Sequence, residues 1–207
     1  MSAFSHTNKK ILLLKLVIHI SALTPLFAMY FLAYKDELSA DPVQEIIHFT
    51  GIGAFNFLLL SLSISPVAKY FKQAFLLKLR RLIGLYAFTY AMFHVFNFLA
   101  FDLQFAWTLF FNELVKRPYI LIGFMALLIL WALAITSFSK VRRKMGKYWQ
   151  LLHNFSYLAA ILIAIHFYWS VKSELFSPLS YCLVLILLFA LRFAKIKRLL
   201  LVPFTRK

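Results

Sequence analysis

The chain has 207 residues, 63% of them hydrophobic and only 14% charged, whereas a soluble domain is about half apolar and a quarter charged. That balance excludes a soluble globular class and indicates an all-α polytopic membrane protein. The net charge of +16 does not indicate nucleic acid, because the basic residues sit in short runs between apolar stretches.

Six apolar stretches follow one another, at about 11–34, 46–65, 82–101, 119–138, 149–171 and 179–194. Each is close to the roughly 20 residues that span a bilayer. Backbone groups in hydrocarbon must be paired internally, so each stretch is expected as a helix. The first follows Lys9 and Lys10, like the basic start of a signal peptide. It is too long for a signal core and no convincing small-residue cleavage site follows, so it is expected to be retained. The second is expected to stop at Pro66. The linkers are short, which favours antiparallel neighbours in a compact bundle. The expectation is one transmembrane domain over 1–207, with no internal repeat, low-complexity tract or soluble part. The single cysteine, Cys182, excludes an internal disulfide, a Cys-only metal site and an iron–sulfur cluster.

Charge gives the orientation. The basic residues before helix one, between helices two and three, between four and five, and from Arg192 onward all fall on one side. With Lys15, near the start of helix one, they are 19 of the 23 Lys and Arg. Only Lys35, Lys116, Arg117 and Lys172 fall on the other side, together with all seven acids. Basic loops stay cytoplasmic, so both termini are expected there, with anionic lipid as the partner of the positive charge.

Ionisable side chains inside a membrane are costly and mark function. The third stretch carries His94, and the fifth carries His153 and His166. Neutral imidazole is a good axial ligand for haem iron, and two make a six-coordinate electron-transfer centre. At 1.5 Å per residue, His94 stands about 20 Å above the inner charge line, His166 roughly 28 Å and His153 roughly 9 Å. His94 and His166 are therefore the expected pair, towards the outer leaflet. His153 is a second or alternative ligand, or a histidine unrelated to iron. The bland reading of all three is a packing histidine donating to a neighbouring carbonyl. His19 and His48 read as pocket residues rather than ligands. Lys172, Lys116 and Arg117 could meet haem propionates or simply lie at the interface. No GxGxxG after a strand and no Walker loop is present, and Gly51 with Gly53 is too weak a signal for either. Electrons must then come from a membrane quinol, a bound flavin or a separate reductase.

Four segments carry a resemblance: ADPVQEIIHFTG at 40–51, RRLIGLYAFTYAMFHVFNFL at 80–99, KRPYILIGF at 116–124 and GKYWQLLHNFSYLAAILIAIHFYWSVK at 146–172. Together they resemble the MsrQ family of haem-binding membrane subunits, within the ferric-reductase-like transmembrane group that includes NADPH oxidases and metalloreductases. The resemblance implies a bacterial inner-membrane, multi-pass protein. It implies haem b, one or two, with His94, His166 and His153 as the haem-linked histidines, and FMN as an associated cofactor. It implies electrons passing from the quinone pool to a periplasmic molybdopterin methionine sulfoxide reductase, an MsrP-type catalytic subunit. Methionine sulfoxide would be reduced in that partner and not in this chain. Two departures stand out. Counting back from His94 to the place of a second helix-three histidine in the oxidases reaches Arg80. After Gly51, where relatives often carry a bulky or basic residue, this chain has Ile52, Gly53 and Asn56. The alternative on the same scaffold is a metalloreductase acting on ferric or cupric ions at the outer face.

Overall fold

The computed structural model describes residues 2–171 and 176–193, with side chains from residue 8 onward. Lys172, Glu174, Ala194 and the basic residues from Lys195 onward lie outside the described residues. Among the described residues the chain is helical, without a strand. The helices are α1 (Ser2–Tyr34), α2 (Pro42–Tyr70), α3 (Arg80–Asn97), α4 (Trp107–Lys116), α5 (Pro118–Ile135), α6 (Ser139–Met145), α7 (Lys147–Asn154), α8 (Ser156–Ser170) and α9 (Phe176–Leu191). A 3-10 turn, Ala74–Lys78, leads into α3, and a π turn, Phe98–Asp102, continues it.

Among the described residues five segments are long and apolar enough to cross a membrane: Asn8–Tyr34, Pro42–Tyr70, Ala74–Asp102, Pro118–Ile135 and Lys147–Ser170. They correspond to the first five predicted stretches. The sixth corresponds to α9, whose 16 residues span about 24 Å against a hydrocarbon core of about 30 Å. Large apolar side chains such as Leu12, Phe27, Trp131 and Ile186 face outward, as helices in lipid require.

Helix ends follow local chemistry. Asp41 caps α2 by accepting from the Gln44 backbone N–H at 3.0 Å, and Pro42 occupies the first turn, where no donor is needed. The helix does not stop at Pro66 as predicted, but runs on to Tyr70. Proline has no N–H to give to the carbonyl one turn back. That carbonyl, Leu62, instead accepts from the Arg192 guanidinium. The fifth predicted helix is broken at Phe155 into α7 and α8. Gly146, at φ 55°, makes the corner between the basic α6 and α7, a backbone conformation that glycine adopts at little cost. Helix α4, absent from the sequence reading, buries Phe110 against Phe124 and leaves Trp107, Phe111 and Val115 exposed.

The bundle is built from two closely packed pairs, α2 with α3 and α5 with α8, joined through α3–α5 and α2–α8. Ala87, Ala159 and Ala160 are fully buried, and such small residues let membrane helices approach closely. Phe55, Leu58, Leu62, Tyr90 and Leu130 fill the centre.

Candidate functional site

Helix α3 carries His94 and α8 carries His166, and the two pairs of helices bring the rings together. Their centroids are 6.1 Å apart with ring planes at 82°. Each ring is seated in the same way. His94 Nδ1 donates to the Ile47 carbonyl on α2 at 2.8 Å, and His166 Nδ1 donates to the Tyr119 carbonyl on α5 at 2.7 Å. A carbonyl only accepts, so Nδ1 holds the proton in both rings and Nε2 holds the free lone pair.

One turn beyond each of these carbonyls stands a glycine. A Cβ on Gly51 would lie 2.9 Å from His94 Nδ1, and one on Gly123 would lie 2.7 Å from His166 Nδ1. Each histidine therefore rests in a notch that only glycine leaves open. Behind His94 lies a buried polar chain. The Tyr30 hydroxyl donates to Asn97 Oδ1 at 2.7 Å, and Asn97 Nδ2 reaches Thr50 Oγ1 at 3.4 Å. The Thr50 hydroxyl lies within reach of both the Ile46 and the Ile47 carbonyls. Asn97 and Thr50 are fully buried.

The pair lines a cavity of about 930 Å³, with apolar walls that include Ile52, Phe55, Phe98, Leu127 and Phe167. Gln44, His48, Asp102, Arg117 and Ser170 contribute polar groups from the helix ends on the acidic side. Cofactor pockets run from about 300 to 1,000 Å³ and are mostly apolar with a few placed polar groups. Two imidazoles on opposite sides of one metal, with bonds of about 2.0 Å, have centroids roughly 6.4 Å apart. The observed separation, the free Nε2 atoms and the cavity all fit a haem held between His94 and His166.

The other predicted residues fall elsewhere. His153, on α7, does not line this cavity. Its ring stacks on Trp149 at 4.0 Å, and its Nε2 lies 3.1 Å from Thr136 Oγ1. The Thr136 proton is engaged by the Ala132 carbonyl at 2.7 Å, so His153 Nε2 donates and its Nδ1 keeps the lone pair. Arg80 and Arg142 are its neighbouring charges. His19 pairs with the Tyr86 hydroxyl at 2.5 Å, and exposed His48 lines the cavity 6.1 Å from the Phe167 ring. Arg117 lines the cavity and pairs with Glu113 at 2.6 Å, while Lys116 is exposed. Asn56, read as a departure, accepts from the Tyr181 hydroxyl at 2.8 Å, and Gly53 makes room for the Tyr90 ring. Sequence reasoning missed Gly123, Thr50, Asn97 and Tyr30. The signal available was a glycine one turn after each accepting carbonyl, which means something only once the helices are paired.

Known proteins are similar to this chain in sequence. The family described as ferric reductase like transmembrane component matches residues 49–164, a span that includes Gly51, His94, Gly123 and His153 and ends just before His166. The chain is similar to the protein-methionine-sulfoxide reductase heme-binding subunit MsrQ of Enterobacter sp. (strain 638), at 42% identity over 193 residues, 93% of this chain and 97% of the relative. It is 40% identical, with the same coverage, to the subunit of that name from Klebsiella pneumoniae (strain 342). The chain thus belongs to the ferric reductase like transmembrane component family and, within it, to the MsrQ subunits.

Proposed function

We propose that this chain is a haem b electron-transfer subunit of a bacterial inner membrane. In this reading residues 1–207 form one domain of six spans, α9 being the sixth, with both termini cytoplasmic. It passes electrons from the quinone pool, or from a separate flavin reductase, to a periplasmic MsrP-type molybdopterin methionine sulfoxide reductase. FMN enters only through the family resemblance. The observation that carries the proposal is the ring pair of His94 and His166, each with Nδ1 tied to a helix carbonyl and Nε2 free.

Haem b supplies a one-electron carrier when bound between these rings. The chain's own residues do the rest. His94 and His166 would hold the haem iron through Nε2. The Ile47 and Tyr119 carbonyls fix the tautomer and make each imidazole a stronger donor to iron. Gly51 and Gly123 set how far each ring retreats. The apolar walls exclude water and hold the site in low dielectric, which tunes potential. His153 stands as a possible ligand of a second site nearer the basic end, through Nδ1.

The test is electron delivery by the whole chain in proteoliposomes. With quinol or a flavin reductase supplied at the basic face, methionine sulfoxide should be reduced by an MsrP-type partner at the other face. His94→Ala and His166→Ala should abolish that flux. Wild-type protein that delivers no electrons from either donor, yet reduces ferric or cupric ions at the outer face, would favour the metalloreductase alternative instead.

A further inference from the structure

The two halves of the histidine site are built on one register. In each, a helix carbonyl holds a histidine Nδ1–H, and the glycine four residues on makes room for the ring. The pairs are Ile47 and Gly51 for His94, and Tyr119 and Gly123 for His166. The residue three beyond the carbonyl differs. It is Thr50 on α2 and Ile122 on α5. A threonine hydroxyl in a helix can reach back to the carbonyls three and four residues earlier. Thr50 does so, with Oγ1 at 2.8 Å from the Ile46 oxygen and 3.0 Å from the Ile47 oxygen. Ile122 has no hydroxyl. Among the described residues no side chain other than His166 donates to the Tyr119 carbonyl.

The Ile47 carbonyl therefore meets two side-chain donors, the His94 Nδ1–H at 2.8 Å and a share of the Thr50 proton. A second donor draws electron density from the oxygen and weakens its pull on the imidazole proton. The Thr50 hydroxyl is itself made a better donor from behind. Asn97 Nδ2 reaches Thr50 Oγ1 at 3.4 Å, and Asn97 Oδ1 accepts from the Tyr30 hydroxyl at 2.7 Å. Each bond in such a chain polarises the next. The side chains of Thr50 and Asn97 are shut off from the surroundings. An aliphatic residue serves at the counterpart position on α5, so neither the helix nor the glycine notch requires the hydroxyl.

We propose, resting on the haem reading given above, that Thr50 is a positioning residue that makes the two axial histidines unequal. By sharing its proton with the Ile47 carbonyl it loosens the hold on His94 and raises the potential of the haem iron. An imidazole whose Nδ1–H is held tightly is the more basic ligand. A more basic ligand favours ferric iron, and hydrogen bonding around the ligands is a lever on potential. His166, whose carbonyl is undivided, is the stronger donor, and His94 the weaker. The raised potential makes the iron easier to reduce.

The test is a potentiometric titration of the full chain purified in detergent with its haem, following the low-spin band that His94→Ala removes. Thr50→Val should lower the midpoint potential. The ferric-to-ferrous ratio should change about three- to tenfold, which is about 30–60 mV for one electron. Thr50→Ser should restore the wild-type value. Ile122→Thr places a hydroxyl at the same register on the Tyr119 carbonyl and should raise the potential. Thr89→Val removes a hydroxyl that bonds the Leu85 carbonyl at 3.0 Å, outside this chain of bonds, and should leave the potential unchanged. A merely structural Thr50 would lose haem in Thr50→Val without moving the potential of the haem retained, and that result overturns the proposal. So does a raised potential in Thr50→Val. Where Thr50→Val fails to fold, Ile122→Thr decides, and an unmoved or lowered potential overturns the proposal. Wild-type protein with no low-spin band would instead sink the haem reading itself, and this role of Thr50 with it.

Discussion

The imidazoles of His94 and His166 are the smallest unit on which the proposed function rests. Their Nδ1 protons are committed to carbonyls, so in the proposed site removal of either ring takes away one of the two Nε2 donors. His94→Ala and His166→Ala should each abolish a low-spin haem spectrum, whereas His153→Ala should cost less haem. Equal haem loss in all three variants would refute that ranking. The glycine notches make a sharper case. Replacing a helix-interior glycine with alanine ordinarily stabilises a helix by about 1 kcal/mol. At Gly123 the added methyl would press on the His166 ring at 2.7 Å. Gly123→Ala should therefore lower the haem-to-protein ratio, and an unchanged ratio would show that the ring can retreat at no cost. The histidine pair was legible in the sequence because depth along two outward-running helices can be counted. The notches were not, because a glycine acquires meaning only from what packs on it.

At the scale of helices, the same device occurs twice. The carbonyl and histidine are separated by 47 residues in both pairs, Ile47 with His94 and Tyr119 with His166. Reading for internal repeats did not find this, since the shared pattern is a carbonyl position, a glycine and a histidine spread over long apolar stretches. Other differences have equally local causes. Pro66 looked like a terminator, but a distant arginine accepts the task its N–H could not perform. Helix α4 is short and amphipathic, so a search for spans passes over it. The α3 terminus carries Asn97, fully buried where the helix widens into a π turn. Its amide links Tyr30 of α1 to Thr50 of α2. Asn97→Ala strands the half-buried Tyr30 hydroxyl, while Thr50 keeps its bonds to the Ile46 and Ile47 carbonyls, and leaving a polar group unsatisfied away from water costs about 1–3 kcal/mol. A fall in the thermal unfolding midpoint is the expected result. An unchanged midpoint would mean that water substitutes for the amide.

For the whole molecule, composition and charge carried the most information. Hydropathy gave the membrane class and the approximate position of every long helix. The segregation of lysine and arginine predicts an orientation with both termini on the cytoplasmic face. Reporter fusions at the N- and C-terminus should both read cytoplasmic; opposite sides would mean that α9 does not span. What composition could not reveal is how the four central helices pair, and that pairing alone turns two histidines on separate stretches into one site. The most direct measurement of that site is a reduced-minus-oxidised optical spectrum of the detergent-purified chain, with haem counted per polypeptide. A sharp b-type signature at one haem per chain, lost in His94→Ala and His166→Ala, is the expected result. Folded protein made with ample haem that shows no such signature would contradict the bis-histidine site and return both rings to packing.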